Sequence, residues 1–224
     1  MADKCPVDHG SKSAQECPVD HNSRSTWASL LPGSHSAGTS SSADPSSLSK
    51  EREVSSIPRA EDGNWVYPSE AQFFAAMARK NHNPDAADMK TIVPIHNAVN
   101  ERAWGEVMKW EAGRGGEKCG GVKLVNFKGK PNQMSPKARC MTILGYSAPF
   151  DRHDWVVERC GTRVRYVIDF YTGRGAGLAS NNPSFYLDVR PALDNWEGVK
   201  MRVENIWRSW SGNQWNKSTP SPAS

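Results

Sequence analysis

The 224-residue chain has no apolar run approaching the roughly 18 residues that a membrane-spanning helix requires. Its N-terminus carries neither a secretory hydrophobic region nor an Arg-rich, acid-free amphipathic presequence, and by these rules alone the chain belongs in the cytosol. Apolar residues are scarce, at 37%, and the scarcity is local: residues 23–56 hold 13 serines and almost no large apolar side chain. Such a segment cannot bury enough surface to offset the entropy of ordering it. The sequence therefore predicts a disordered tail over residues 1–63, a folded part over 64–215 and a short frayed tail over 216–224. Five cysteines (Cys5, Cys17, Cys119, Cys140, Cys160) are widely spaced and odd in number, which does not predict a disulfide framework.

Charge divides at the same boundary. Residues 1–64 carry 6 Lys/Arg and 9 Asp/Glu, net −3; the remainder carries 22 and 15, net +7, and the two sum to +4. The basic residues of the folded part are dispersed, which speaks against nucleic acid and leaves acidic lipid head groups or an acidic ligand. Tryptophan is abundant, with nine residues, seven of them between Trp104 and Trp215. Large rings can bulk out a small core or line a cavity for a flat ligand.

The tail opens with a repeat: Cys5-Pro-Val-Asp-His9 returns as Cys17-Pro-Val-Asp-His21. Two C-x3-H units could supply four zinc ligands. The Cys-Pro dipeptide also resembles the haem regulatory motif, in which a thiolate in a flexible segment binds haem iron. A tail with no ligand is the third reading.

In the folded part, Ser69 and Gln72 form a capping box ahead of a helix whose buried side is Phe73, Phe74 and Met77. A second helix is expected to start near Pro94 and end at Gly113. At about 100° per residue, Val99, Ala103, Val107 and Trp110 share a face with His96 and Asn100. A histidine on such a face is either packed in a core or aimed at something bound. Strands are predicted at 122–127, 140–146, 155–158, 163–171 and 185–190, with Cys160-Gly161-Thr162 as a hairpin turn. Val164, Tyr166, Ile168 and Phe170 are expected to face one side, and Arg165, Val167 and Asp169 the other. Arg152, Arg159, Arg163 and Arg165 concentrate positive charge near this hairpin. His153 lies between Asp151 and Asp154, and a carboxylate partner would orient its ring. Asp151 has a competing reading as a turn residue bonded to the local backbone. Pro191 is expected to open a last helix whose apolar stripe (Leu193, Trp196, Val199, Val203, Ile206, Trp207, Trp210) docks on the sheet. The fold class expected is α+β: a small antiparallel sheet packed with several helices.

Four segments, WVYPSEAQFF, IHNAVNERAW, PFDRHDWVVERCGTRVRYVIDFY and LDVRPALDNW, resemble the holocytochrome-c synthase (cytochrome c-type haem lyase) family over about residues 65–210. The Cys-Pro-Val tail resembles the haem regulatory motifs of that family. The resemblance implies a lyase that takes ferrous haem b and an apocytochrome bearing C-x-x-C-H, and joins the two cysteine sulfurs to the haem vinyl groups as thioethers. It implies apocytochrome c1, apocytochrome c or both as partners, and the repeat-bearing tail leans toward the c1 branch. His96 matches the axial ligand of the haem iron, Glu101 and Arg159 match positions sensitive to substitution, and His153 matches a second histidine of less certain role. Asp151 beside it, Trp104 as a ring against the macrocycle, Arg159 as a propionate partner, and Cys5 and Cys17 as iron ligands in the tail complete the implied haem contacts. Glu101 points away from the His96 face and is expected to be structural. The family location, the intermembrane-space side of the mitochondrial inner membrane without a cleaved presequence, replaces the cytosolic expectation. The alternative is a non-catalytic haem chaperone or sensor that binds through the tail cysteines.

Overall fold

The structure is a computed structural model that describes residues 47–80, 82–131, 133–172 and 185–215. The described residues have the expected α+β class, with four α-helices and two antiparallel sheets. Val54–Pro58 (β1) and Asn64–Val66 (β2) form a two-stranded ribbon. β1 lies upstream of residue 64, so ordered chain begins earlier than the sequence reading placed it. A serine-rich strand gives little hydrophobic signal; only Ser55 and Ile57 of β1 are buried. The larger sheet is a meander in the order Lys123–Gly129 (β3), Asp151–Arg159 (β4), Thr162–Thr172 (β5) and Phe185–Pro191 (β6).

The two faces of this meander differ in chemistry. One face carries Trp155, Val157, Val164, Tyr166, Ile168, Phe170, Leu187 and Val189, and it forms the main core with Ala103, Trp104 and Val107 of the helix Met89–Glu111 (α2). The opposite face carries ion pairs. Asp169 is fully buried and accepts hydrogen bonds from Arg190 and from Ser135 Oγ at 2.6 Å. Asp154 is held by Arg152, Lys130 and Arg165. Burial alone would raise the Asp154 carboxyl, but the Lys130 and Arg152 contacts outweigh it and hold the carboxyl low. Alternation along β5 sets this two-faced chemistry, since successive side chains point to opposite faces.

Helix Glu70–Arg79 (α1) is capped as expected: Ser69 Oγ accepts from Gln72 N, and the Gln72 side chain accepts from Ser69 N. Its Phe73, Phe74 and Met77 pack against a second small cluster of Leu48, Ala86, Met89 and Ile92. α2 begins at Met89, before Pro94, which therefore sits inside the helix. Proline there removes the bond that its missing N–H would give to Lys90 C=O, a local cost that apolar packing of Met89 and Ile92 offsets.

Four expectations give way. Residues 140–146 are not a strand: Ser135 caps and Pro136 opens a helix, Pro136–Ile143 (α3). Pro191 ends β6, paired with Tyr166, and the last helix is Trp196–Trp215 (α4). That helix docks through Met201, whereas Leu193, Trp196, Val203, Ile206, Trp207 and Trp210 are 60–79% exposed. Finally, Cys119 and Cys160 form a disulfide with Cα atoms 5.4 Å apart. Sequence spacing could not show this, because the bridge spans 41 residues and joins a hairpin tip to a Gly-rich loop. Cys160 and Gly161 are the two-residue turn between β4 and β5, both with positive φ, as a type I′ hairpin requires. Cys140 is free and exposed.

The Asp169–Arg190 pair yields a stability prediction. Arg190→Met leaves a buried carboxylate uncompensated and should cost about 3–5 kcal/mol, while Arg190→Met combined with Asp169→Val should recover most of the loss. Chemical denaturation of both variants measures this; equal losses in the two would contradict it.

Candidate functional site

His96 sits at the seam between the two apolar clusters. Its ring meets the edge of Phe73 of α1 at 5.3 Å between centroids. The Asn100 amide, one turn along α2, lies 3.2 Å from His96 Nδ1. The atom facing Nδ1 is the Asn100 amide nitrogen, a donor; turning the amide over brings Oδ1 there to accept from Nδ1–H, and that tautomer leaves the Nε2 lone pair for a metal. Burial, aided by neighbouring His153, lowers the His96 pKa to about 4, with Asp151 and the Asn97 side chain pulling weakly the other way. The imidazole is therefore neutral at pH 7, the form that ligates iron.

His153 and Asp151, at the start of β4, act electrostatically on His96. Asp151 Oδ2 lies 3.2 Å from His153 Nε2, and its Oδ1 accepts from Arg152 N at 2.7 Å. Both sequence readings of Asp151, as imidazole partner and as local backbone acceptor, thus coexist. Asp154 is on the other face of β4 and takes no part. With Nε2–H given to Asp151, His153 Nδ1 keeps its lone pair, and that atom is buried without a hydrogen-bond partner. Phe170 packs edge-on to His153 at 4.9 Å, and Phe150 lies 6.3 Å from Phe170 and 6.2 Å from Phe185. His96 with Asn100 and Phe73, and His153 with Asp151 and Phe170, thus make two imidazole clusters that act on each other electrostatically. Phe150 and Phe170 were not picked out as site residues by sequence; Phe150 opens the PFDRHDW segment, which was the available signal.

The other sequence candidates lie elsewhere. Glu101 ties α2 to the small sheet: Ser55 Oγ (2.5 Å), Ser56 N (3.1 Å), Ser56 Oγ and Tyr67 OH (2.9 Å) all donate to it. Burial would raise its carboxyl, but the hydroxyl donors prevail and hold it low. Burial and the Glu101 carboxylate push the Tyr67 phenol up. Arg159 is not placed to hold a propionate near His96. Its Nη1 donates to Glu111 at 2.8 Å and its Nη2 to Glu197 at 2.6 Å, both as ion pairs. Glu111 is about 22 Å along α2 from His96 at 1.5 Å per residue. Glu111 also accepts from Tyr166 OH at 2.5 Å. The cluster of arginines read from the hairpin is neutralised in place, since Arg152, Arg163 and Arg165 each pair with a carboxylate. Trp104, 7% exposed, belongs to the main core two turns beyond His96. Cys5 and Cys17 lie outside the described residues. Among the described residues no cluster of His, Cys, Asp and Glu forms a multidentate metal site, and no helix is long and apolar enough to cross a membrane.

The profile of the family described as cytochrome c/c1 heme lyase matches residues 1–119 and 114–206. A putative holocytochrome-c1 synthase of Schizosaccharomyces pombe is 54% identical over 166 residues, 71% of this chain and 75% of that protein. One of Chaetomium thermophilum is 52% identical over 76% of this chain and 69% of that protein. The holocytochrome c-type synthase of Homo sapiens is 47% identical over 75% of this chain and 64% of that protein. No solved structure gives a significant match. The chain belongs to the cytochrome c/c1 haem lyase family, and it is an enzyme of that kind.

Proposed function

We propose that the chain attaches haem covalently to the C-x-x-C-H cysteines of an apocytochrome, preferentially apocytochrome c1, through His96 as axial ligand to the haem iron. The observation that carries this is the lowered His96 pKa against Phe73, with a second histidine acting on it electrostatically. Haem is here the substrate. His96 Nε2 would hold its iron, and the half-buried Phe73 and Phe150 supply apolar ring surface for the macrocycle. Each thioether forms by addition of a thiol S–H across a vinyl group: the sulfur bonds one vinyl carbon, the proton ends on the other, and nothing is oxidised or reduced. His153, fixed by Asp151, keeps a proton acceptor beside the reacting edge. The protein's main contribution is positioning, which in well-oriented intramolecular reactions is worth up to about 7–11 kcal/mol. Glu101 and Arg159 act by fastening α2, and so hold His96 in place without touching haem.

Preference for c1 is supported by two relatives within one organism. The Schizosaccharomyces pombe protein named a putative holocytochrome-c1 synthase is 54% identical, and the one named a putative holocytochrome-c synthase is 39% identical. The proposed location is the intermembrane-space side of the mitochondrial inner membrane, in peripheral contact with it. Cys5 and Cys17 are retained as candidate haem-iron ligands in the tail.

Co-expression in bacteria with apocytochrome c or with the apocytochrome c1 haem domain, read by haem staining on a denaturing gel, tests the reaction. A strong c1 band, lost in His96→Ala, is expected; haem copurifying with no covalent band would favour a haem chaperone or sensor. The pH dependence follows from the lowered pKa. Protons compete with iron for the His96 lone pair only as pH falls toward about 4. Haem ligation should therefore survive at about pH 5.5, where an ordinary histidine of pKa about 6.5 is mostly protonated. Titration of the haem absorption band from neutral to acid pH measures it, and loss centred near pH 6.5 would contradict it.

A further inference from the structure

The last helix leaves an apolar face uncovered by any described residue. At about 100° per residue, Ile206, Val199, Trp210, Val203, Trp196 and Trp207 of α4 fall within an arc of about 100°, opposite the docking residue Met201. Trp196, Val203, Ile206, Trp207 and Trp210 are 79, 60, 68, 66 and 62% exposed. This is an extended apolar strip, far from the scattered single exposures ordinary on a protein surface. Trp207 and Trp210 lie 5.8 Å apart, forming one aromatic ridge.

The strip borders a basic recess. A cavity of about 510 Å³ is lined by Arg114, Lys118, Arg159, Lys200 and Arg208, with Glu197 and Glu204. The two glutamates are taken up by Arg159 and Arg114. Five lining cations against two glutamates give the recess a positive excess; Lys200, itself 4.0 Å from Glu204, stands between it and the tryptophan arc on the helix wheel.

We infer that α4 lies on an anionic lipid bilayer, its Trp–Val–Ile face in the interfacial layer and the Lys118/Lys200 recess against head-group phosphates. The face is convex, so a rigid protein partner would need a matching groove, whereas a bilayer yields to it. Its bulk is tryptophan, whose ring sits at the head-group boundary with the N–H still bonded to polar groups. An apolar helical face with cations along its border is the pattern of an in-plane interfacial helix. The net +7 of residues 65–224 favours the same negative surface. α4 packs at the Arg159 end of α2, well away from His96, so the docked face leaves the candidate haem site uncovered by lipid. The inference rests on the proposed function only for which membrane is meant.

Flotation of the full chain with vesicles tests it. The chain should float with vesicles of phosphatidylcholine containing about 30 mol% phosphatidylglycerol, and only weakly with phosphatidylcholine alone or at high salt. Trp207→Ser with Trp210→Ser should lower bound protein about tenfold or more. Lys118→Gln and Lys200→Gln should each cost up to about fivefold on anionic vesicles alone. Thermal melting confirms that each variant is folded, and haem attachment in detergent should be unchanged. Equal flotation of the tryptophan variant and the wild type overturns the inference. So does a tryptophan variant that turns a dimer into a monomer in sedimentation without changing vesicle binding, which would make the face a contact between two copies. Loss of attachment in detergent by the folded tryptophan variant would assign the face to the reaction and also overturn it, whereas failure of the wild type to attach haem would bear only on the proposed function.

Discussion

The side chain of Glu111 is fully shielded from solvent, and most of the architecture follows from how that carboxylate is satisfied. An unpaired charge there would cost several kcal/mol, so the helix can end where it does only with Arg159 and Tyr166 in place. Burial and the adjacent carboxylate together push the Tyr166 phenol far up, so it stays a neutral donor. Trp110 Nε1 adds a bond to Val189 O at 2.8 Å, and Glu101 adds the ties to the small sheet. α2 is thereby pinned to β4, β5, β6 and β1 along its C-terminal half. His96 projects from the remaining half into the seam with α1. Its position is thus set by contacts that never touch it.

The same logic gives Glu101 and Arg159 their structural role, well away from His96. Each supplies charge to a partner whose burial fixes the helix that carries His96. Arg159 joins α2 to α4 as well, through Glu197, and the Cys119–Cys160 bridge ties the adjacent loop to the hairpin tip. On a chain-entropy estimate a closed loop of some 41 residues is worth about 4 kcal/mol. One end of the domain is thus locked by covalent and ionic links, and the other holds the imidazoles.

Much of this was legible where local chemistry decides the outcome. The capping box at Ser69, the period-2 pattern of β5, the Cys160-Gly161 turn and the His96 stripe of α2 depend on neighbours close in sequence. What was not legible depends on partners far apart. Arg159 read as a free cation because Glu111 and Glu197 are 48 and 38 residues away. The disulfide was hidden by an odd cysteine count, and β1 by its serines. Residues 140–146 carry a strand-like pattern, but Ser135 and Pro136 upstream start a helix that runs to Ile143. The tryptophans of α4 read as core because an amphipathic pattern reports that a face is apolar, not what covers it.

Chemical rescue at the candidate iron ligand is the most direct measurement. Haem complexes of the wild-type chain and of His96→Gly would be compared by absorption spectroscopy, with and without added imidazole. If His96 holds the iron, the substitution removes the histidine-ligated spectrum and free imidazole restores it. A His96→Gly complex that keeps the wild-type spectrum with no imidazole would show that another group ligates the iron, and the assignment of the site to the α1–α2 seam would fail.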